Sequence, residues 1–146
     1  MSSVKRIVVD WKSNFRLDAR NEKGVSVGFD LAKEDGGEET ALSPMETVLA
    51  SLAACTSYDV LSILKKKRQK VTDYFVEASA DKREEPLPRA FTKIHLKYTV
   101  KGENIVPDAV KRAIELSVEK YCSVGAMLRN SVPITSSFEI VEAKFE

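Results

Sequence analysis

The chain carries two residues able to act as soft nucleophiles, Cys55 and Cys122, and a single histidine, His95. Thiols do three kinds of chemistry: they bind metals, form structural disulfides, or attack electrophiles as thiolates. Two cysteines and one histidine lack the paired ligand spacing of a zinc site, so no metal is expected. Two cysteines far apart in the chain do not make the disulfide framework of a secreted domain either. In a reducing compartment the pair is therefore either two inert core thiols or a redox couple.

The residues around the thiols decide how each would behave. Cys55 sits in LASLAAC, among small residues that leave the thiol uncrowded. Asp59, one helical turn on and on the same face, opposes thiolate formation. A cation is needed to favour the thiolate, and Arg16, Arg20, Arg89 and Arg129 are the candidates. Cys122 follows Val110, Ile114 and Val118 at i, i+4 spacing, so it extends the apolar stripe of a helix. At such a C-terminus the helix dipole disfavours a thiolate, which leaves Cys55 the better nucleophile. Glu46 has two possible roles. Ser43-Pro44-Met45-Glu46 is a capping box with proline at the first helical position. If Glu46 and Cys55 share one helix, nine positions put them about 180° apart around it and ~13 Å along it. Glu46 then reaches chemistry only through a third group or another subunit.

The elements that position these residues follow from patterning. Strands are expected over 4–11, 15–20 and 25–31, with a turn at Asn21–Gly24. An acidic, glycine-containing mobile loop is expected over 32–42. A long helix spans 44–69 and ends in KKKRQK, a cationic run that complements its dipole. Strands follow over 71–82 and 91–101. The second alternates Ile94, Leu96, Tyr98 and Val100 with polar neighbours, the mark of one buried face. A helix over 107–122, a short helix over 124–130 and a strand over 134–143 complete an α+β chain. The long helix is apolar on more than one side, which calls for cover by the fold or by a partner chain.

Composition sets outer limits. At 146 residues the chain suits a single domain spanning 1–146. A net charge of +1 provides no field for nucleic acid or anionic membrane. The N-terminus lacks the apolar run of a signal peptide, and no apolar run approaches a membrane span, so a cytoplasmic protein is expected.

The motifs SPMETVLASLAACTSYDVLSILKKKR and VEKYCSVGAML, taken together, resemble the OsmC/Ohr family of osmotically induced and organic-hydroperoxide-resistance proteins, in its YhfA-like branch. The resemblance covers nearly the whole chain. It implies an intertwined cytoplasmic homodimer with the long helices central and the sheets outside. It also implies a thiol peroxidase without a cofactor. Cys55 would attack an organic hydroperoxide, and Cys122 would resolve the sulfenic acid to a disulfide. An arginine from the N-terminal strands, here Arg16, and a glutamate at the helix start, here Glu46, would hold the active geometry, and a dithiol would reduce the enzyme. Met45 stands where the family places that glutamate, and Glu46 is one residue later, a rotation of about 100°. The other outcome compatible with these departures is a non-enzymatic dimeric module that binds a ligand or senses oxidants.

Overall fold

The structure is a computed structural model that describes residues 3–144. The chain divides into two compact units, Met1–Val48 and Leu49–Glu146.

The first unit is an antiparallel meander of β1 (Val8–Ser13), β2 (Arg16–Arg20) and β3 (Ser26–Phe29), in that order across the sheet. Its turns are built from local side-chain chemistry. Between β2 and β3, the Asn21 side-chain oxygen accepts from the Lys23 and Val25 N–H groups, and Gly24 supplies a φ of 82°. The first strand starts four residues later than the sequence suggests. Val8 already pairs with Arg20, the last residue of β2, so the residues before it find no strand partner there. The segment expected to be a mobile loop is instead latched. It contains a 3-10 turn, Lys33–Asp35, and its backbone closes on the buried carboxylate of Asp30.

The long helix, α1 (Pro44–Lys66), begins as expected. The Ser43 N–H donates to the Glu46 carboxylate at 3.0 Å, and the Glu46 N–H donates to the Ser43 hydroxyl at 3.3 Å, which is a complete capping box. The helix ends three residues short of the expectation because Arg68 adopts a left-handed conformation, φ 57°. The Gln69 N–H then reaches the Leu64 carbonyl and the Arg68 N–H the Lys65 carbonyl, a Schellman closure. Contrary to the first estimate of apolar length, α1 is long and apolar enough to span a membrane by composition, with a mean hydropathy of 1.5 over its best window. In the second unit its stripe Leu52, Thr56, Val60 and Leu64 is nonetheless buried in the core cluster or in hydrogen bonds.

That second unit holds a sheet of β4 (Lys70–Lys82), β5 (Phe91–Glu103) and β6 (Ile134–Glu142), with β5 central. β4 and β5 form the expected antiparallel hairpin, and β6 returns parallel to β5, pairing Tyr98 with Phe138. The return is made by α2 (Pro107–Leu116), a π-helical turn over Ser117–Tyr121, and α3 (Ser123–Leu128). Ile94, Leu96, Tyr98 and Val100 are fully buried, as their alternation demands, and pack with Val60, Leu64, Val110 and Ile114.

Candidate functional site

The two thiols meet in the second unit. Cys55, half-buried on α1, and Cys122, 4% exposed, are both free, and they lie near enough for Cys55 to bear on the ionisation of Cys122. Sequence periodicity misplaces Cys122 in one respect. It does not continue the apolar stripe of α2 to a helix C-terminus. The π-turn closes with the Cys122 N–H on the Ser117 carbonyl at 2.8 Å, five residues back, and the chain then turns extended at Cys122. Cys122 thereby becomes the N-cap of α3, where its sulfur accepts from the Gly125 N–H at 3.4 Å. Single-turn π-helices occur frequently at functional sites. Here its effect is to aim a thiol at a neighbouring helix. Gly125 makes the close approach possible, since a Cβ there would lie 3.3 Å from the sulfur.

Burial pushes the Cys122 thiol up to about 11, against the pull of the Gly125 N–H; the neighbouring Cys55 and Asp59 push the same way. The sulfur borders a small cavity of about 50 Å³ lined by Leu52, Thr56, Leu96, Val118, Ile134 and the Arg129 side chain. Arg129 donates to the Val118 carbonyl of the π-turn.

Beside the thiols runs a buried chain of hydroxyls that the sequence reading did not assemble. The Thr56 hydroxyl bonds the Tyr98 hydroxyl at 2.7 Å and the Ser117 hydroxyl at 2.8 Å, and Ser117 donates to the Asp59 carboxylate at 2.8 Å. Tyr98, Thr56 and Ser117 are at most 1% exposed. Asp59 also lines an open cleft of about 370 Å³ with Ser62, Lys66 and Tyr121. Desolvation pushes the Tyr98 phenol up from its ordinary value. A signal for this chain existed: a tyrosine on the buried face of β5 needs a partner for its hydroxyl, and Ser117 is a polar residue three positions after Ile114 on the buried face of the second helix.

The other expected site residues belong to the first unit. The Arg16 guanidinium donates from Nε to Asp18 at 2.9 Å and from Nη1 to the carbonyl and hydroxyl oxygens of Thr40 at 3.1 and 3.0 Å. Asp18, Thr40 and Asp30 were not foreseen around it. The Asp30 carboxyl is held down to about 2, first by the Thr40 hydroxyl and then by its N–H. The Glu46 carboxylate faces Ser43, whose N–H holds it below the usual carboxylate range. Of the remaining candidate cations, Arg20 pairs with Asp10 and Arg89 donates to the Glu84 carbonyl. Among the described residues, no group of three or more His, Cys, Asp or Glu side chains is arranged to hold a metal ion.

A family model described as OsmC-like protein matches residues 36–137. Protein YhfA of Escherichia coli strain K12 is 45% identical over 116 residues, 80% of this chain and 86% of YhfA. The crystal structure of a hypothetical protein from Aquifex aeolicus VF5 is 31% identical, with a TM-score of 0.84 over 98% of this chain and 100% of that one. An organic hydroperoxide resistance protein OsmC from Legionella pneumophila shares the fold at 14% identity, with a TM-score of 0.68 over 94% of this chain and 97% of its own.

Proposed function

The chain belongs to the OsmC-like family, and on that premise we propose that it is a cytoplasmic, homodimeric thiol peroxidase that reduces organic hydroperoxides. The observation that carries the proposal is the proximity of two free thiols, Cys55 and Cys122. Cys55, the more exposed of the two, attacks the terminal oxygen of the hydroperoxide as a thiolate. The O–O bond breaks, the alcohol leaves with a proton, and Cys55 becomes a sulfenic acid. The Cys122 sulfur then attacks the Cys55 sulfur. The S–O bond breaks, the Cys122 proton leaves with the hydroxide as water, and a disulfide remains for an external dithiol to reduce. A resolving thiol held protonated by burial does not compete for peroxide. It reacts because contact with Cys55 makes the second step intramolecular.

Arg16 supplies the cation that stabilises the thiolate and the departing oxygen in this reading. The apolar lining of the cavity beside Cys122 favours alkyl over hydrogen peroxide. The homodimer is supported by apolar side chains that α1 leaves exposed within one chain, Tyr58 at 77% and Leu61 at 39%. A second reading, a non-enzymatic ligand-binding or oxidant-sensing dimer, is favoured by one observation: an acidic residue, Asp59, adjoins the thiol pair and opposes ionisation of Cys122.

One experiment separates the two readings. Reduced protein is mixed with one equivalent of cumene hydroperoxide or hydrogen peroxide, and thiol loss and mass are followed. The peroxidase reading expects loss of two hydrogens at a rate at least a hundredfold above that of a free thiol, faster with cumene hydroperoxide. Cys55→Ser is then silent, and Cys122→Ser gains one oxygen. Thiol loss no faster than that of a free thiol would leave the sensing or binding module.

A further inference from the structure

Three oxygens hold the Arg16 guanidinium. Asp18 fixes Nε, and Thr40 fixes Nη1 through two oxygens. The guanidinium lies against the backbone of Gly28 so closely that a Cβ on that residue would stand 2.1 Å from Nη2 and 2.5 Å from Cζ. No alanine fits there without moving the arginine.

The hydrogen-bond directions around Thr40 are forced by chemistry. A carboxylate only accepts, so the Thr40 hydroxyl donates to Asp30, at 2.6 Å, and its lone pairs are turned to Arg16. Asp30, 3% exposed, also takes the Thr40 N–H at 3.1 Å and the Leu31 N–H at 2.8 Å. A buried carboxylate thus organises the loop that holds the arginine. Nη2, the atom nearest Gly28, has no hydrogen-bond partner among the described residues.

We propose that Gly28, Thr40 and Asp30 are positioning residues for Arg16, forming a seat that presets its guanidinium for the anion Arg16 serves. This rests on the peroxidase reading. Arg16, Asp18 and the ionised Asp30 together are net negative, so the seat acts through directed N–H groups rather than through a long-range positive field. Directed donors stabilise charge only when their geometry is set beforehand. The seat supplies that setting without the carboxylate of Glu46, which is bonded to Ser43.

The test is the pH profile of single-turnover thiol loss with cumene hydroperoxide, measured for wild type, Arg16→Met, Gly28→Ala, Thr40→Val and Thr40→Ser. Arg16→Met is expected to slow the reaction a hundredfold or more, with Gly28→Ala within about threefold of it. Thr40→Val should slow it about tenfold and shift the profile to higher pH, and Thr40→Ser should restore both. A merely structural role would lower the melting temperature and leave the profile in place. A hundredfold loss in Arg16→Met beside wild-type profiles in Gly28→Ala and Thr40→Val would overturn the seat and leave the peroxidase reading standing. A wild-type rate in Arg16→Met would overturn the role of Arg16, and the seat with it. Should Gly28→Ala fail to fold, Thr40→Val carries the test. A measurement independent of turnover is the Arg16 Nε–H exchange rate by NMR. It should rise about tenfold or more in Thr40→Val, and an unchanged rate would also overturn the seat.

Discussion

The two units are built on opposite principles. From Leu49 onward the chain encloses an apolar core around β5, where the buried hydroxyls of Tyr98, Thr56 and Ser117 bond one another and, through Ser117, the half-buried Asp59. Up to Val48 only Ala19 and Asp30 are buried among the described residues, while consecutive residues Ile7, Val8 and Val9 are all exposed. Consecutive strand residues point to opposite faces, so this meander covers neither face well within one chain. Its order comes from hydrogen bonds, those of Asn21, Asp30 and Arg16. The chemistry divides the same way. Cys122 sits where burial governs protonation, and the preset guanidinium sits where polar contacts govern position.

The largest expected effect tests that contrast directly. Leu64 is fully buried against the β5 face, and Leu64→Ala should destabilise the protein by about 2–5 kcal/mol in urea unfolding. Val27 is 52% exposed in β3, and Val27→Ala should change stability by no more than about 0.5 kcal/mol. A loss at Val27 as large as that at Leu64 would break the contrast. It would mean that in solution another chain covers this sheet, which the homodimer proposal accommodates.

A smaller effect should appear in alkali. Burial holds the Cys122 thiol near 11, against 9.0 for an ordinary cysteine. The folded state therefore keeps a proton that the unfolded chain has released. The stabilisation is complete below pH 9 and is lost as pH rises from about 9 to 11. Melting temperatures across that window should fall for wild type and fall less for Cys122→Ala. At pH 8, iodoacetamide should label Cys55 ahead of Cys122. Equal labelling would show that the second thiol is not shielded as its burial indicates.

Patterns that repeat were legible in the sequence, and interruptions were not. The alternation of Ile94 to Val100 and the capping box at Ser43–Glu46 are local rules, and the structure follows them. The spacing from Val110 to Cys122 extrapolates a 3.6-residue period through a π-turn, which has a different period. The cysteine was placed on the correct helix pair and given the wrong helix end. The Asp30 latch was illegible because a single aspartate in an acidic loop has no spacing to read. Its role lies in four N–H and O–H groups that only the folded loop brings to it. The pairing of Arg16 with Asp18 was illegible because spacing alone does not choose among the acidic residues near an arginine.

The smallest expected effect concerns that residue. In this structure the Glu46 carboxylate receives the Ser43 N–H, and the Ser43 hydroxyl receives the Glu46 N–H. Glutamine at the same position keeps an oxygen to accept from Ser43 and removes the charge that an ion pair with an arginine would require. Glu46→Gln should therefore leave the melting temperature almost unchanged and the reaction of Cys55 with cumene hydroperoxide within about threefold of wild type. A hundredfold loss of that reaction at an unchanged melting temperature would show that Glu46 acts in catalysis from one position past the family's glutamate. The division would then fail at its boundary. The first turn of α1, which caps the helix, would also serve Cys55, nine residues further along it.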